Sequence, residues 1–224
     1  MRVPLAREGF PFIASTALPA IVLWQAVAQW GGPVLWVLAT TLSVLAIGVI
    51  MFFRDPERSG PKGSDFVMAP ADGKVIDIGV SDESSYLNGE ALKISIFLSL
   101  FDVHVNRYPV SGGVEHRSYN PGRFEPAWRN SASHSNEHAS TGIDTEGRPI
   151  LVNQIAGLAA KRIVTYAEVG DHVEQGDRMG LIRFGSRVDV YMPKDARPNV
   201  KVGDRAVGGI TVLARLTGQH ENPA

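Results

Sequence analysis

Val169-Gly170-Asp171-His172-Val173-Glu174-Gln175-Gly176 and Val202-Gly203-Asp204-Arg205-Ala206-Val207-Gly208-Gly209 share one pattern, V-G-D followed by a glycine at the same offset. Glycine admits a positive φ and aspartate accepts nearby backbone N–H groups, so each copy predicts a tight turn that feeds a short strand. Around them lie short β-branched runs punctuated by glycine, at residues 73–79, 91–100, 162–169, 179–184, 188–191 and 210–216. Helical periodicity is scarce beyond residue 53, and this part of the chain reads as mainly β.

The N-terminal segment is of another kind. Charged residues make up 20% of the chain, yet none occurs at residues 10–53. Residues 34–53 are an unbroken apolar run, long enough for a hydrocarbon core of roughly 30 Å. Residues 10–30 form a second run, softened by Gln25 and Gln29 and interrupted by Pro19. Gly31-Gly32-Pro33 between them is a breaker cluster that predicts a tight reversal, hence an antiparallel helical hairpin. Trp24, Trp30 and Trp36 gather toward its turn, where indole suits a membrane interface. A hairpin puts Arg2 and Arg7 on the same side as Arg54, Arg58 and Lys62, by the positive-inside rule the cytoplasmic one. A signal peptide would have a shorter apolar region and a small-residue cleavage site. The expected organisation is a membrane-anchoring hairpin at residues 1–53 and a globular domain at residues 54–224, attached to the cell membrane on its cytoplasmic face.

With 22 basic against 23 acidic side chains, the chain lacks the basic excess of a nucleic-acid-binding protein. Zero cysteines exclude disulfides, cysteine-ligated metal sites and thiol nucleophiles. Residues 118–147 are rich in Asn, Ser, Gly, His and Arg and read as a long loop or flap, a class of segment that is usually functional. Within it His134-Ser135-Asn136-Glu137-His138 matches H-x-x-E-H, but its neighbours supply no apolar helix face, so no metal site is expected.

Three candidates remain for chemistry. Phe101-Asp102-Val103-His104-Val105-Asn106-Arg107 follows the most hydrophobic run of the domain. His104 there is either a satisfied core or capping residue or a proton carrier near neutral pH. Asp72 in Ala69-Pro70-Ala71-Asp72-Gly73 is either an Asx-turn residue or a functional carboxylate. Phe184-Gly185-Ser186-Arg187 falls between two strands and reads as a bulge or a close approach, without a G-x-S-x-G elbow. With a His and an Asp elsewhere, Ser186 completes a nucleophile triad in composition only.

The V-G-D turns resemble those of lipoyl and biotinyl carrier domains, which implies a barrel-sandwich fold of short crossing strands. Taken together, the motifs resemble phosphatidylserine decarboxylase proenzymes of the short, membrane-anchored type. Pro70-Ala71-Asp72-Gly73 resembles the family's P-x-D-G, residues 97–109 its F-D-V-H-x-N-R-x-P strand end, and Tyr119-Asn120-Pro121-Gly122-Arg123-Phe124 its Y-x-P-G-x-F. Asn136-Glu137 stands at N-E-R, Gln154-Ile155-Ala156-Gly157 with Lys161-Arg162-Ile163 at I-A-G-x-x-A-R-R-I, and Phe184-Gly185-Ser186 at the self-cleavage site.

The resemblance implies a cut between Gly185 and Ser186, leaving a β chain of residues 1–185 and an α chain of residues 186–224. Ser186 would become a covalent pyruvoyl cofactor, with His104 as base and Asp72 orienting it. The pyruvoyl carbonyl would condense with the amine of phosphatidylserine, and loss of carbon dioxide would give phosphatidylethanolamine. Longer family members carry a second His where this chain has Arg107, which leaves His104 for both steps. N-E-R becomes Asn136-Glu137-His138 here, so Arg107 or Arg123 would supply the cationic contact to substrate, with Asn136 and His138 as further contacts. The implied partners are the phospholipid, the membrane and the two chains of one precursor, with room for a homo-oligomer. The competing readings are a pyruvoyl decarboxylase of another serine-headed lipid, and a membrane-anchored carrier-like or adaptor domain without catalysis. Against the latter, no heptad helices are present and neither V-G-D copy carries a lysine at its tip.

Overall fold

The charge-free run folds as two helices, α1 (Phe10–Trp30) and α2 (Pro33–Phe52). The computed structural model describes residues 3–123, 125–126, 135–157, 162–183 and 185–217. Gly31 and Gly32 reverse the chain at φ of 64° and 96°, a region strained for residues with a Cβ. Ala20 and Val27 on α1 and Ala39 and Ala46 on α2 are buried. Each pair is spaced by one heptad, so a seam of mostly small side chains lets the helices approach closely. Trp24 Nε1 donates to Ser43 Oγ at 3.0 Å and its ring meets Trp36 edge-on at 5.0 Å. Away from this seam the helices expose apolar side chains such as Leu18, Val22, Val34 and Val44. Both helices are long and apolar enough to cross a membrane.

At the open end of the hairpin, Leu5 bridges to Arg54 and the Asp55 amide donates to Pro4 O at 2.8 Å. These bonds tie residues 54–55 to the N-terminal segment. The chain accordingly divides into Met1–Glu57 and Arg58–Ala224, a few residues beyond the boundary that charge alone suggests.

Among the described residues the second unit has fourteen strands: β1 (Phe66–Met68), β2 (Gly73–Glu83), β3 (Gly89–Leu98), β4 (Val105–Arg107), β5 (Gly112–Asn120), β6 (His138–Thr145), β7 (Arg148–Ala156), β8 (Ile163–Thr165), β9 (His172–Val173), β10 (Arg178–Ile182), β11 (Ser186–Pro193), β12 (Arg197–Pro198), β13 (Arg205–Ala206) and β14 (Val212–Arg215). Of the described residues 41% are in strands and 22% in helices, and the largest sheet curls into a half-barrel. That sheet has the order β13-β2-β3-β11-β7-β6-β5-β9, and two three-stranded sheets, β1-β14-β12 and β4-β10-β8, complete the fold. The concave core takes Ile94 and Ile96 from β3, Val188 and Val190 from β11 and Val152 from β7.

The two V-G-D copies end the large sheet at its opposite edges, through β9 and β13. They make the same bonds. Asp171 Oδ2 accepts from the Glu168 amide at 2.8 Å, and Asp204 Oδ2 from the Lys201 amide at 3.0 Å. Gly170 N donates to Val114 O and Gly203 N to Val75 O, both at 2.8 Å. The recurring spelling therefore reports a recurring structural unit. By contrast, the flap expected at 118–147 is strand at both ends, since β5 runs to Asn120 and β6 and β7 begin at His138 and Arg148. The polar Ser140 and Thr141 are buried there because β6 is flanked by strands on both sides. The ladder satisfies their backbones whatever the side chains.

Candidate active site

Ser186 opens β11, the strand between β3 and β7, facing Leu98 on one and Ala156 on the other. Its side chain is fully buried in the sheet interior, and Oγ has no hydrogen-bond partner among the described residues. The residue before it, Gly185, has φ +59°, and a Cβ added there would meet nothing within 4 Å. Glycine is required here by backbone conformation and not by space.

The chain leaving Leu98 turns at once. The Asp102 amide donates to Ser99 O at 3.0 Å, and the Ser99 amide and hydroxyl donate to Asp102 Oδ2 at 2.8 and 2.7 Å. Arg205 holds the other carboxylate oxygen. Burial alone raises the Asp102 carboxyl pKa, but the Ser99 bonds and the Arg205 charge outweigh it and leave it below the ordinary value. This turn presents His104, fully buried, with Nδ1 2.9 Å from Asp102 O. A carbonyl only accepts, so Nδ1 carries the proton and Nε2 is the basic nitrogen of the neutral ring. Val105 pairs with Leu181 on β10, the strand that leads to Gly185. His104 and Ser186 are thus delivered to the same end of the sheet, one by β3 and β4, the other by β10 and β11.

Asp72 has partners of its own. Its carboxylate takes two bonds from Arg58, one of them Nη2 to Oδ2 at 2.7 Å, and accepts the Gly208 amide at 2.8 Å. His104 draws its orientation from the Asp102 carbonyl, and Asp72 instead pins the P-A-D-G turn to the end of the second V-G-D copy. The two parallel bonds from one guanidinium make this a strong charge-assisted contact.

Arg107 is buried as well. Its amide donates to Pro70 O and its Nη1 to Gly176 O, both at 2.8 Å, so it ties β4 to the P-A-D-G turn and to the end of the first V-G-D copy. Arg123 is exposed and bridges through its backbone to Asn136. The Asn136 side chain is spent on structure: Nδ2 donates to Glu125 O at 2.8 Å and Ala156 O at 2.7 Å, and Oδ1 accepts the Glu125 amide. It fastens the chain around residue 125 to the residue facing Ser186. His138 Nδ1 lies 2.8 Å from Asn136 O. Phe124, His134, Lys161 and Phe184 lie outside the described residues.

Comparison with known proteins settles the class. A family model described as phosphatidylserine decarboxylase matches residues 45–214. The chain belongs to the phosphatidylserine decarboxylase family. It is 47% identical to a protein named phosphatidylserine decarboxylase proenzyme from Symbiobacterium thermophilum, over 96% of this chain and 98% of that one. Proteins of the same name from Geobacter metallireducens and Cupriavidus metallidurans are 46% and 41% identical over 95% of this chain, covering 97% and 95% of their own lengths.

Within the family's motifs, reading the sequence passed over several residues that the fold makes prominent. Asp102 and Asn106 stand inside the F-D-V-H-V-N-R run and Gln154 inside Q-I-A-G, so the motif was seen but its members were not given separate jobs. Arg187 and Asp189 follow Gly185-Ser186 at alternating positions, a strand signal that predicts one shared face. Arg58 and Arg205 carry no local signal, because each acts through a partner far along the chain.

Proposed function

We propose that the chain is a self-processing phosphatidylserine decarboxylase that is cut between Gly185 and Ser186 and works on lipid at the cytoplasmic face of a membrane held by its α1–α2 hairpin. What supports the reading is one arrangement within a member of this family: a buried serine hydroxyl without a partner among the described residues, next to a left-handed glycine, at the start of a central strand. The Ser186 hydroxyl is activated by His104 Nε2, which takes its proton as Oγ attacks the Gly185 carbonyl carbon. The same proton passes to the departing Ser186 nitrogen, and an ester replaces the peptide bond. Loss of the Ser186 α-proton then expels Gly185 as a carboxylate and leaves dehydroalanine. Water adds, ammonia leaves, and residue 186 ends as a pyruvoyl group. The residues fit this group, since position 186 is buried and its hydroxyl makes no hydrogen bond among the described residues. The pyruvoyl group supplies an electron sink for the pair released as carbon dioxide departs. His104, fixed at Nδ1, returns a proton to the substrate carbon. Arg7 and Arg54 at the open end of the hairpin supply the basic flank for the cytoplasmic side.

Intact mass and a gel test this. The purified protein is expected as two chains meeting at Gly185/Ser186, with carbon dioxide released from phosphatidylserine micelles. Ser186→Ala should remain one chain, and Gly185→Ala should fold but mature slowly, because its φ costs a residue with a Cβ about 1–2 kcal/mol. A Ser186→Ala protein that still splits overturns the reading.

A further inference from the structure

Asn106 on β4 and Gln154 on β7 lie 48 residues apart in sequence, are both fully buried, and are joined by one bond from Gln154 Nε2 to Asn106 Oδ1 at 2.7 Å. A single amide–amide bond leaves one donor group and one acceptor group over. Here these are Asn106 Nδ2 and Gln154 Oε1, and neither has a partner among the described residues. Each buried polar atom left unpaired costs about 1–3 kcal/mol, so two side by side call for an explanation.

Their place in the sheet supplies one. Ala156 faces Ser186 and Gln154 faces Val188. Antiparallel partners share a face, so the Gln154 side chain is on the same face as Ser186, at a diagonal position about 7–8 Å away between α-carbons. The surroundings on that face are apolar, among them Leu98, Ile96, Val188 and Ala156. An unpaired donor and an unpaired acceptor thus sit in an apolar wall beside the reacting residue.

We propose that Asn106 and Gln154 read the serine headgroup, Asn106 Nδ2 donating to its carboxylate and Gln154 Oε1 accepting from its amine. The assignment rests on the decarboxylase reading above. A serine headgroup carries an ammonium and a carboxylate on one carbon, which is the complement of a neighbouring carbonyl and amide. An ethanolamine headgroup has the amine alone and leaves the Asn106 donor unmet. Neutral groups also suit the chemistry. A cation against the carboxylate would stabilise the ground state that must lose its charge as carbon dioxide leaves, whereas an amide orients it with less of that penalty. In the uncut chain the Gly185–Ser186 bond runs past this site, and cleavage turns Gly185 into a free chain end that can withdraw.

The test uses Asn106→Leu, with Asn106→Asp as a variant that keeps the acceptor for Gln154 Nε2. Two readouts are taken on the full-length protein: KM for phosphatidylserine in micelles, and the mass adduct formed with phosphatidylethanolamine under cyanoborohydride. Both variants should appear as two chains. KM for phosphatidylserine should rise about tenfold or more, as for a lost bond to a charged group, while capture of phosphatidylethanolamine stays within about twofold. Gln154→Leu should weaken both lipids. Equal losses for the two lipids in the Asn106 variants would show a merely structural role and overturn the assignment. So would wild-type KM in both, or recovery of Asn106→Leu as an uncut chain. A wild-type protein that stays one chain instead defeats the decarboxylase reading itself, so the two failures are separable.

Discussion

Arg187 Nε donates to Asp189 Oδ1 at 2.6 Å, and both side chains are completely buried. The pair lies on β11, starting one residue after Ser186, and points away from Ser186 to the opposite face of the sheet. Arg187 Nη2 also donates to Ser95 Oγ on β3 at 2.9 Å. If the chain is cut before Ser186, this is the first side-chain link that holds the new chain to its old neighbour. The Arg187–Ser95 bond crosses from β11 to β3 and helps hold the register there, and a slip of one residue would turn Ser186 out of the core.

Asp189→Ala would leave the Arg187 guanidinium buried without its carboxylate. We expect a loss of about 3–5 kcal/mol in unfolding free energy by urea titration. Arg187→Met combined with Asp189→Leu should recover much of it, because replacing both partners removes the buried charge. If Asp189→Ala unfolds at the wild-type midpoint, the pair does not anchor β11.

Asp72 and Arg58 should behave as one unit. Asp72→Asn and Arg58→Met are each expected to destabilise the P-A-D-G turn, and a double-mutant cycle should return a coupling of about 1–3 kcal/mol. The corresponding cycle between Asp72 and His104 should come out near zero, since the imidazole is held by Asp102 O. Strong Asp72–His104 coupling would support the orienting role that the family resemblance implies.

Asp102 sets an acid limit on the fold. Its carboxyl pKa is lowered in the native state, where burial is outweighed by the Ser99 bonds and the Arg205 charge. A depressed carboxyl contributes stability that is fully present above the unfolded-state value of about 3.9 and is lost as pH falls through the lower native value. Urea midpoints measured from pH 6 down to pH 2 should therefore fall less steeply for Asp102→Asn than for the wild type below about pH 4. The same substitution should slow maturation, because the turn it weakens carries the carbonyl that orients His104. Parallel pH curves for the two proteins would show that Asp102 does not titrate with folding.

The sequence by itself determined whatever depends on residues close in the chain. Gly31-Gly32-Pro33 between two charge-free runs has no regular alternative to a reversal, and the hairpin follows. V-G-D sets its turn through an aspartate that accepts an amide three residues back, so both copies form the same bonds. Gly185 before Ser186 was legible for the same reason, as a conformation that one residue type allows. Tertiary structure alone decided which distant groups meet. Asp72 lies 136 residues from the Gly208 amide it accepts, Asp102 is 103 from Arg205, and Asn106 is 48 from Gln154. No local pattern chooses among the carboxylates that could satisfy a given guanidinium. The choice is made when sheet register buries a charge and leaves one partner within reach. The strand at 138–145 was hidden likewise, because Ser140, Thr141 and Thr145 are buried by neighbouring strands and not by their own hydrophobicity.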